Sequence, residues 1–331
     1  MDDGTGSEDE LDRLRNLPIR SEDIGFAPEE LIVCGKCAKS NAPNRAACLY
    51  CGAELEGVTM TKLEARDLES WENGFNVIVV DTSRADVDSA ANDLARTLRL
   101  EREFVTAILR SPRPLPLARV ESEAQAVAIS EGLDQLGIET RVIEDRSLQP
   151  TSLPVRLRSL AFTEDGIVLG LFSQGEVRSI KLDDLAIIVS AVTLEERTES
   201  IEKKKRRSTT TVSEAQTSER GHVIDIYSTQ HAGGWRIPSS GFDFSCLGPD
   251  KSLLVNENME RLVTKLVRIH PDAKLIDDYL AVRSLLENCW PSESRKDTER
   301  LGLGRKEFSS VSTTNNKLQL TKFSRLQWHL L

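Results

Sequence analysis

The sequence predicts an α+β, multidomain fold on three observations. Two Cys-x-x-Cys pairs sit close together near the N-terminus, from Cys34 to Cys51. Between Phe75 and Ile143, strand-like and helical spacings of apolar residues alternate. From Val155 onward, short apolar runs broken by turn residues give way to helical spacing. At 331 residues there is room for two or three modules of ordinary size.

Residues 1–30 carry ten Asp/Glu against three Arg, a composition that predicts a disordered, solvated tail. The segment 31–56 follows, with cysteines spaced C-x2-C-x10-C-x2-C. Each Cys-x-x-Cys presents two thiolates from one tight turn, and Gly35 and Gly52 give those turns backbone latitude. Few apolar residues accompany them, so a fold here depends on a metal. Cys34, Cys37, Cys48 and Cys51 are therefore the expected ligands of one structural zinc ion, which makes the segment an N-terminal zinc ribbon. Two redox motifs are the alternative, but a redox Cys-x-x-Cys opens a helix in a βαβ setting.

A polar connector leads to a small α/β module at 75–145. Asn76 to Val80 reads as a strand ended by Asp81. Val87, Ala90, Ala91, Leu94 and Leu98 share one helical face, and Phe104 to Leu109 make a second short helix. Pro112 and Pro114 break it. Leu115 to Val120 is extended, Ser122 to Leu136 is helical with Gly137 as its C-terminal cap, and Ile138 to Ile143 alternates as a strand.

A β-rich, barrel-like module with C-terminal helices is expected over 155–290. Its strands are Val155–Phe162, Ile167–Phe172, Val177–Leu182 and Leu185–Leu194, with turns at Asp165-Gly166 and Gln174-Gly175. Residues 195–220 lack apolar periodicity and carry Lys203, Lys204, Lys205, Arg206 and Arg207, which predicts an exposed loop. Strands resume at His222–Tyr227, Trp235–Ile237 and Phe242–Cys246. Helices with faces Met259, Leu262, Val263, Leu266 and Tyr279, Val282, Leu286, Cys289 close the module. The end, 291–331, reads as a flexible tail whose last residues, Leu318 to Leu331, are apolar enough to dock.

Three resemblances accompany these readings. The pattern C-x2-C-x3-N-x6-C-x2-C, with Asn41 as its asparagine, is similar to Ran-binding-protein-type zinc fingers. RNA-binding fingers of that type have Trp where this chain has Ile32, and ubiquitin-binding ones have Thr-Phe where it has Ala38-Lys39, so neither ligand is implied. Residues 75–145 resemble the C-terminal domain of the bacterial ribosomal stalk protein in the Phe75 strand, Leu98-Arg99-Leu100-Glu101, Ser111-Pro112 and the Leu136-Gly137 ending. The resemblance implies the fold; the Gly-Leu-Gly-Leu-Lys segment that contacts translation factors has no counterpart. Residues 155–290 resemble a pleckstrin-homology-like barrel in strand count and following helix.

The formal net charge of −10 disfavours general binding to nucleic acid or anionic membrane. The opening residues are acidic, unlike a secretory leader, and no apolar run is long enough to span a bilayer. Cysteine pairs of this kind suit a reducing cytoplasm. No P-loop, HExxH or GxSxG signature occurs. The expectation is a non-enzymatic, cytoplasmic, zinc-binding adaptor that engages protein, with Trp235 in a turn beside Gly233-Gly234 as an exposed anchor. The alternative is nucleic-acid binding through the ribbon and residues Lys203 to Arg207.

Overall fold

The computed structural model describes residues 31–41, 48–53, 55, 68, 72–148, 152–172, 176–204, 209–300 and 307–331. The acidic tail, the Gln174-Gly175 turn and Lys205, Arg206 and Arg207 lie outside these residues. Two compact units divide the chain, Met1–Val58 and Thr59–Leu331. In the first, β1 (Ile32–Val33) pairs antiparallel with β2 (Ser40–Asn41). Its buried apolar cluster consists of Ile32, Cys34, Cys48 and Leu55.

The second unit begins with an α/β layer: β3 (Phe75–Asp81), α1 (Val87–Leu98), α2 (Arg102–Leu109), β4 (Leu115–Val120), α3 (Glu123–Gln135) and β5 (Glu139–Glu144). This is the predicted order. The sheet runs β4-β3-β5, antiparallel throughout. Local chemistry explains the boundaries. Asp86 caps α1 by accepting from the Ser89 N–H, and Ser122 and Gln125 form a reciprocal capping box on α3. Gly137 follows α3 at φ 78°, where a Cβ would lie 2.7 Å from the Arg84 carbonyl oxygen. Only glycine fits there.

A curled, half-barrel sheet follows, in the order β13-β14-β9-β10-β11-β6-β7-β8. The meander is β6 (Val155–Phe162), β7 (Gly166–Leu171) and β8 (Val177–Lys181). β9 (Leu185–Lys204) and β10 (Thr209–Ser228) are twenty residues each, and β11 (His231–Pro238) joins β10 to β6. α4 (Val255–Ile269) covers the concave side with Met259, Leu262 and Leu266. β12 (Lys274–Ile276) pairs with β9, and α5 (Tyr279–Leu286) follows.

Three expectations are corrected here. The described residues of 195–220 are not a loop: β9 and β10 pair from Leu194↔Arg220 out to Lys204↔Thr209, with one register shift between Thr211 and Ser213. Backbone pairing holds this arm without an apolar face, because every central N–H and C=O has a strand beside it. The described residues of 291–316 likewise include β13 (Glu293–Arg300) and β14 (Glu307–Asn315), which extend the arm beside β9. The expected strand Phe242–Cys246 instead leads into a 3₁₀ segment, Phe244–Asp250, capped by Asp243, whose carboxylate accepts from the Ser245 N–H. The Asp165-Gly166 turn does form a hairpin, closed by the Thr163 N–H on the Gly166 carbonyl.

Trp235 is also corrected, from exposed anchor to core. It is 5% exposed, lies in β11 opposite Ile226 and stacks on His231 at 4.7 Å between ring centroids. Trp235→Ala should therefore lower stability by about 3 kcal/mol, the cost of a core aromatic cavity. Thermal unfolding of the full chain measures it, and an unchanged midpoint would contradict this burial.

The final helix, α6 (Lys317–His329), docks as expected, but not through apolar residues alone. Gln319, Thr321, Lys322, Ser324, Arg325 and Gln327 are buried in it beside Leu320, Phe323 and Leu326. Lys322 Nζ reaches Asp145 at 2.9 Å, and Arg325 donates to the carbonyls of Leu148 and Gly233. Gln327 donates to the Pro114 carbonyl, and the Trp328 indole to that of Ser228. The helix thus ties the α/β layer to the half-barrel through hydrogen bonds. Such groups are costly to bury unless paired, so this interface is specific about geometry.

Candidate metal centre

The two cysteine pairs form near-identical backbone knuckles. In the first, the Cys34 N–H donates to the Lys39 carbonyl and the Ala38 N–H to the Cys34 carbonyl, at 3.0 and 2.8 Å. In the second, the Cys48 N–H donates to the Ala53 carbonyl and the Gly52 N–H to the Cys48 carbonyl, at 2.8 and 2.9 Å. The same two bonds recur at the same offsets from the leading cysteine. Both turns close through a left-handed residue, Ala38 at φ 55° and Gly52 at φ 69°. Glycine accepts that conformation freely, whereas an L-residue is disfavoured there by about 1–2 kcal/mol. Ala38→Gly should accordingly stabilise the metal-bound ribbon by about 1 kcal/mol. Competition with a chelator, monitored as metal release, measures it; easier release from the variant would contradict the strain.

The knuckles face each other. Cys34 Sγ lies 3.6 Å from Cys51 Sγ, Cys37 Sγ lies 3.5 Å from Cys48 Sγ, and all four sulfurs are within 4.8 Å of one another. These separations are far beyond a disulfide bond of about 2.05 Å. They match a tetrahedron of thiolates about 2.3 Å from a central ion, whose edges are roughly 3.8 Å. The residues present therefore fit a four-sulfur metal site. Cys34 and Cys48 are buried, Cys37 is half-buried and Cys51 is exposed.

Asn41 locks the two halves together, a role the spacing pattern contained but did not explain. It is 4% exposed. Its Nδ2 donates to the Lys39 carbonyl at 2.8 Å and to Cys48 Sγ at 3.5 Å, while Oδ1 accepts from the Leu49 N–H at 2.9 Å. One side chain thus joins both knuckles and supports a ligand sulfur, as outer-shell groups of metal sites do.

Electrostatics favour thiolate at two positions. The backbone N–H groups of Cys37 and Lys36 hold Cys34 below the ordinary thiol range. Burial acts to raise Cys48, but N–H donation from Tyr50 and Cys51, with Cys37 and Asn41, outweighs it and pulls the thiol to about 6. Lys39 N–H donation favours the Cys37 thiolate, yet burial and the three neighbouring thiols push it up to about 12.

The other sequence candidates do not join this centre. Lys203 and Lys204 belong to the outer end of β9. Elsewhere in the chain, His222 bonds Ser190 and His231 stacks on Trp235. Among the described residues, the four cysteines are the group of metal-ligating side chains that comes together. No described helix is long and apolar enough to cross a membrane. No protein-family model, curated protein or solved structure matches this chain.

Proposed function

We propose that this chain is a protein-interaction or regulatory adaptor whose one zinc ion, held by Cys34, Cys37, Cys48 and Cys51, is structural, and that it is not an enzyme. The observation that carries the reading is the closed set of four sulfurs. A tetrahedral zinc with four protein thiolates keeps no position for a catalytic water, so its work is to hold the knuckles in shape. Surface composition supports interaction. Leu253 and Leu254, ahead of α4, and Val255, its first residue, are 101%, 60% and 44% exposed, and Leu49 and Tyr50 at the second knuckle are 64% and 62% exposed. Contiguous exposed apolar residues in an ordered chain mark contact sites. Thiols kept as metal ligands suit a reducing compartment, and the cytoplasm is the proposed location.

Metal analysis of protein purified under reducing conditions tests the zinc: one ion per chain is expected, and none would end the metal reading. Nucleic-acid binding through the ribbon is the second reading, favoured by the exposed Tyr50 ring with the Lys39 ammonium 5.9 Å above it. Partner capture by the intact chain over a salt series separates the two, since nucleic-acid affinity falls steeply with salt.

A further inference from the structure

The arm of the half-barrel has an open edge on β10. β9 pairs with β10 along its length, whereas β11 pairs with it only from Val223 to Ser228. The last backbone bond between β10 and β11 runs from the Ser239 N–H to the His222 carbonyl, at 2.8 Å. In an antiparallel ladder the backbone groups of alternate residues turn to the same side. Arg220, Ser218, Gln216 and Glu214 therefore aim N–H and C=O away from β9, and no described strand lies beside them. At the outer end, the register shift between Thr211 and Ser213 closes the regular edge. The open stretch is thus Ser213 to Gly221, and every residue from Ser213 to Arg220 is exposed.

The two edges of the arm differ in sequence. On β13, four of the six residues Glu293 to Thr298 are charged, the composition that blocks strand addition. On β10, one of the six residues Ser213 to Ser218 is charged, Glu214. β10 is the unguarded edge.

That edge is complementary to itself. Turned about a two-fold axis at Thr217 and laid antiparallel, it sets Arg220 opposite Glu214, Glu219 opposite Ala215, Ser218 opposite Gln216 and Thr217 opposite Thr217. Outward residues then meet outward residues, as the hydrogen-bonded pairs of a ladder require. Directly opposite side chains share a face, and the symmetry repeats the Arg220–Glu214 pairing, so both charges are matched and no like charges meet. Neither Arg220 nor Glu214 has an ion-pair partner within the chain among the described residues. Neighbouring placements fit worse. An axis at Gln216 sets Arg220 opposite Val212, in the bulge, and an axis at Ser218 calls on His222, whose carbonyl already holds the Ser239 N–H.

We propose that β10 pairs along this edge with the same edge of a second copy of the chain, making a two-fold dimer whose arms form one continuous sheet. Main-chain bonds supply affinity, as in other strand additions, and the Arg220–Glu214 pairs fix the register. A bulge bends its strand, so the tip of each arm leaves the line of the edge before it meets β11 of the other copy. The dimer depends neither on the zinc nor on the adaptor reading.

Sedimentation of the full chain over a concentration series tests it. A reversible monomer–dimer equilibrium is expected, with hydrogen-exchange protection at Gln216 and Ser218 gained only in the dimer. Arg220→Glu and Glu214→Arg, both exposed changes, should each weaken the dimer at least about tenfold, because each sets like charges opposite twice. An equimolar mixture of the two variants, or both substitutions in one chain, should restore it, which separates pairing from misfolding. Thr217→Cys should crosslink to itself under mild oxidation, since Cα atoms at a non-hydrogen-bonded pair stand about 4.5 Å apart. Ala215→Cys, on the same face but opposite Glu219, should not. A monomer at all concentrations up to about 100 μM, a dimer indifferent to Arg220→Glu, no rescue by charge exchange, or equal crosslinking of the two cysteine variants would overturn the proposal. So would protection of Gln216 and Ser218 in the monomer, which would mean that another segment already covers the edge.

Discussion

Replacing Asp145 by alanine is expected to cost the fold about 3–5 kcal/mol, a large fraction of the stability of an ordinary domain. Asp145 is 2% exposed and lies just after β5. It accepts from Arg119 Nε at 2.8 Å, Lys322 Nζ at 2.9 Å, Asn76 Nδ2 at 3.1 Å and the Gly74 N–H at 3.0 Å. Asn76 in turn accepts from the Trp290 indole at 2.8 Å. Alanine would leave two buried cations sharing no carboxylate, the costly way to break such a cluster. Lys322→Met should cost less, because Arg119 still neutralises Asp145. Denaturant unfolding of both variants measures the difference, and a Lys322→Met loss equal to or above that of Asp145→Ala would refute this assignment of charge.

The same carboxylate gives a pH signature. Burial pushes Asp145 up, but Lys322 and the Asn76 amide outweigh it, with Arg119 adding to them, so the folded carboxyl lies below its ordinary range. A depressed folded value means the unfolded chain takes up the proton first. The stabilisation is complete above the unfolded value of about 4 and is lost as the pH falls through the lower folded value. Acid unfolding of Asp145→Ala should lack this component.

Metal removal is the second large effect. Chelation, or Cys48→Ser, should unfold the ribbon, because structural zinc in small fingers contributes roughly 10–16 kcal/mol. The buried apolar cluster there is four residues, two of them cysteines of the candidate metal centre. Leu55 and Ile32 are the aliphatic pair left when the metal goes. Unfolding of the second compact unit should be unchanged. Backbone hydrogen exchange over residues 31–55 reads the first effect and the melting transition the second. Protection surviving in zinc-free protein would show that the knuckles stand without an ion.

What was legible in the sequence follows from which physical signal held each part. The α/β layer was readable because its helices bury one apolar stripe, as Ala90, Ala91, Leu94 and Leu98 do, and carry standard caps. The cysteines were readable because metal chemistry demands their spacing. The β9–β10 arm was not, since its outer half alternates polar residues on both faces and is held by backbone pairing. Trp235 was misplaced because Gly233-Gly234 suggested a turn. Gly234, at φ 67°, instead makes room for Tyr227, whose ring would lie 2.4 Å from an added Cβ. The docking of α6 was visible in its leucines and Phe323. Its buried Gln319, Lys322 and Arg325 were not, because their partners lie elsewhere in the fold, 177 residues away for Lys322.

That separation has a consequence during synthesis. At roughly 5–20 residues per second, about 10–35 s pass between the emergence of Asp145 and that of Lys322, 177 positions later. Through that interval the Asp145 carboxylate is made without the Lys322 ammonium that pairs with it in the folded chain.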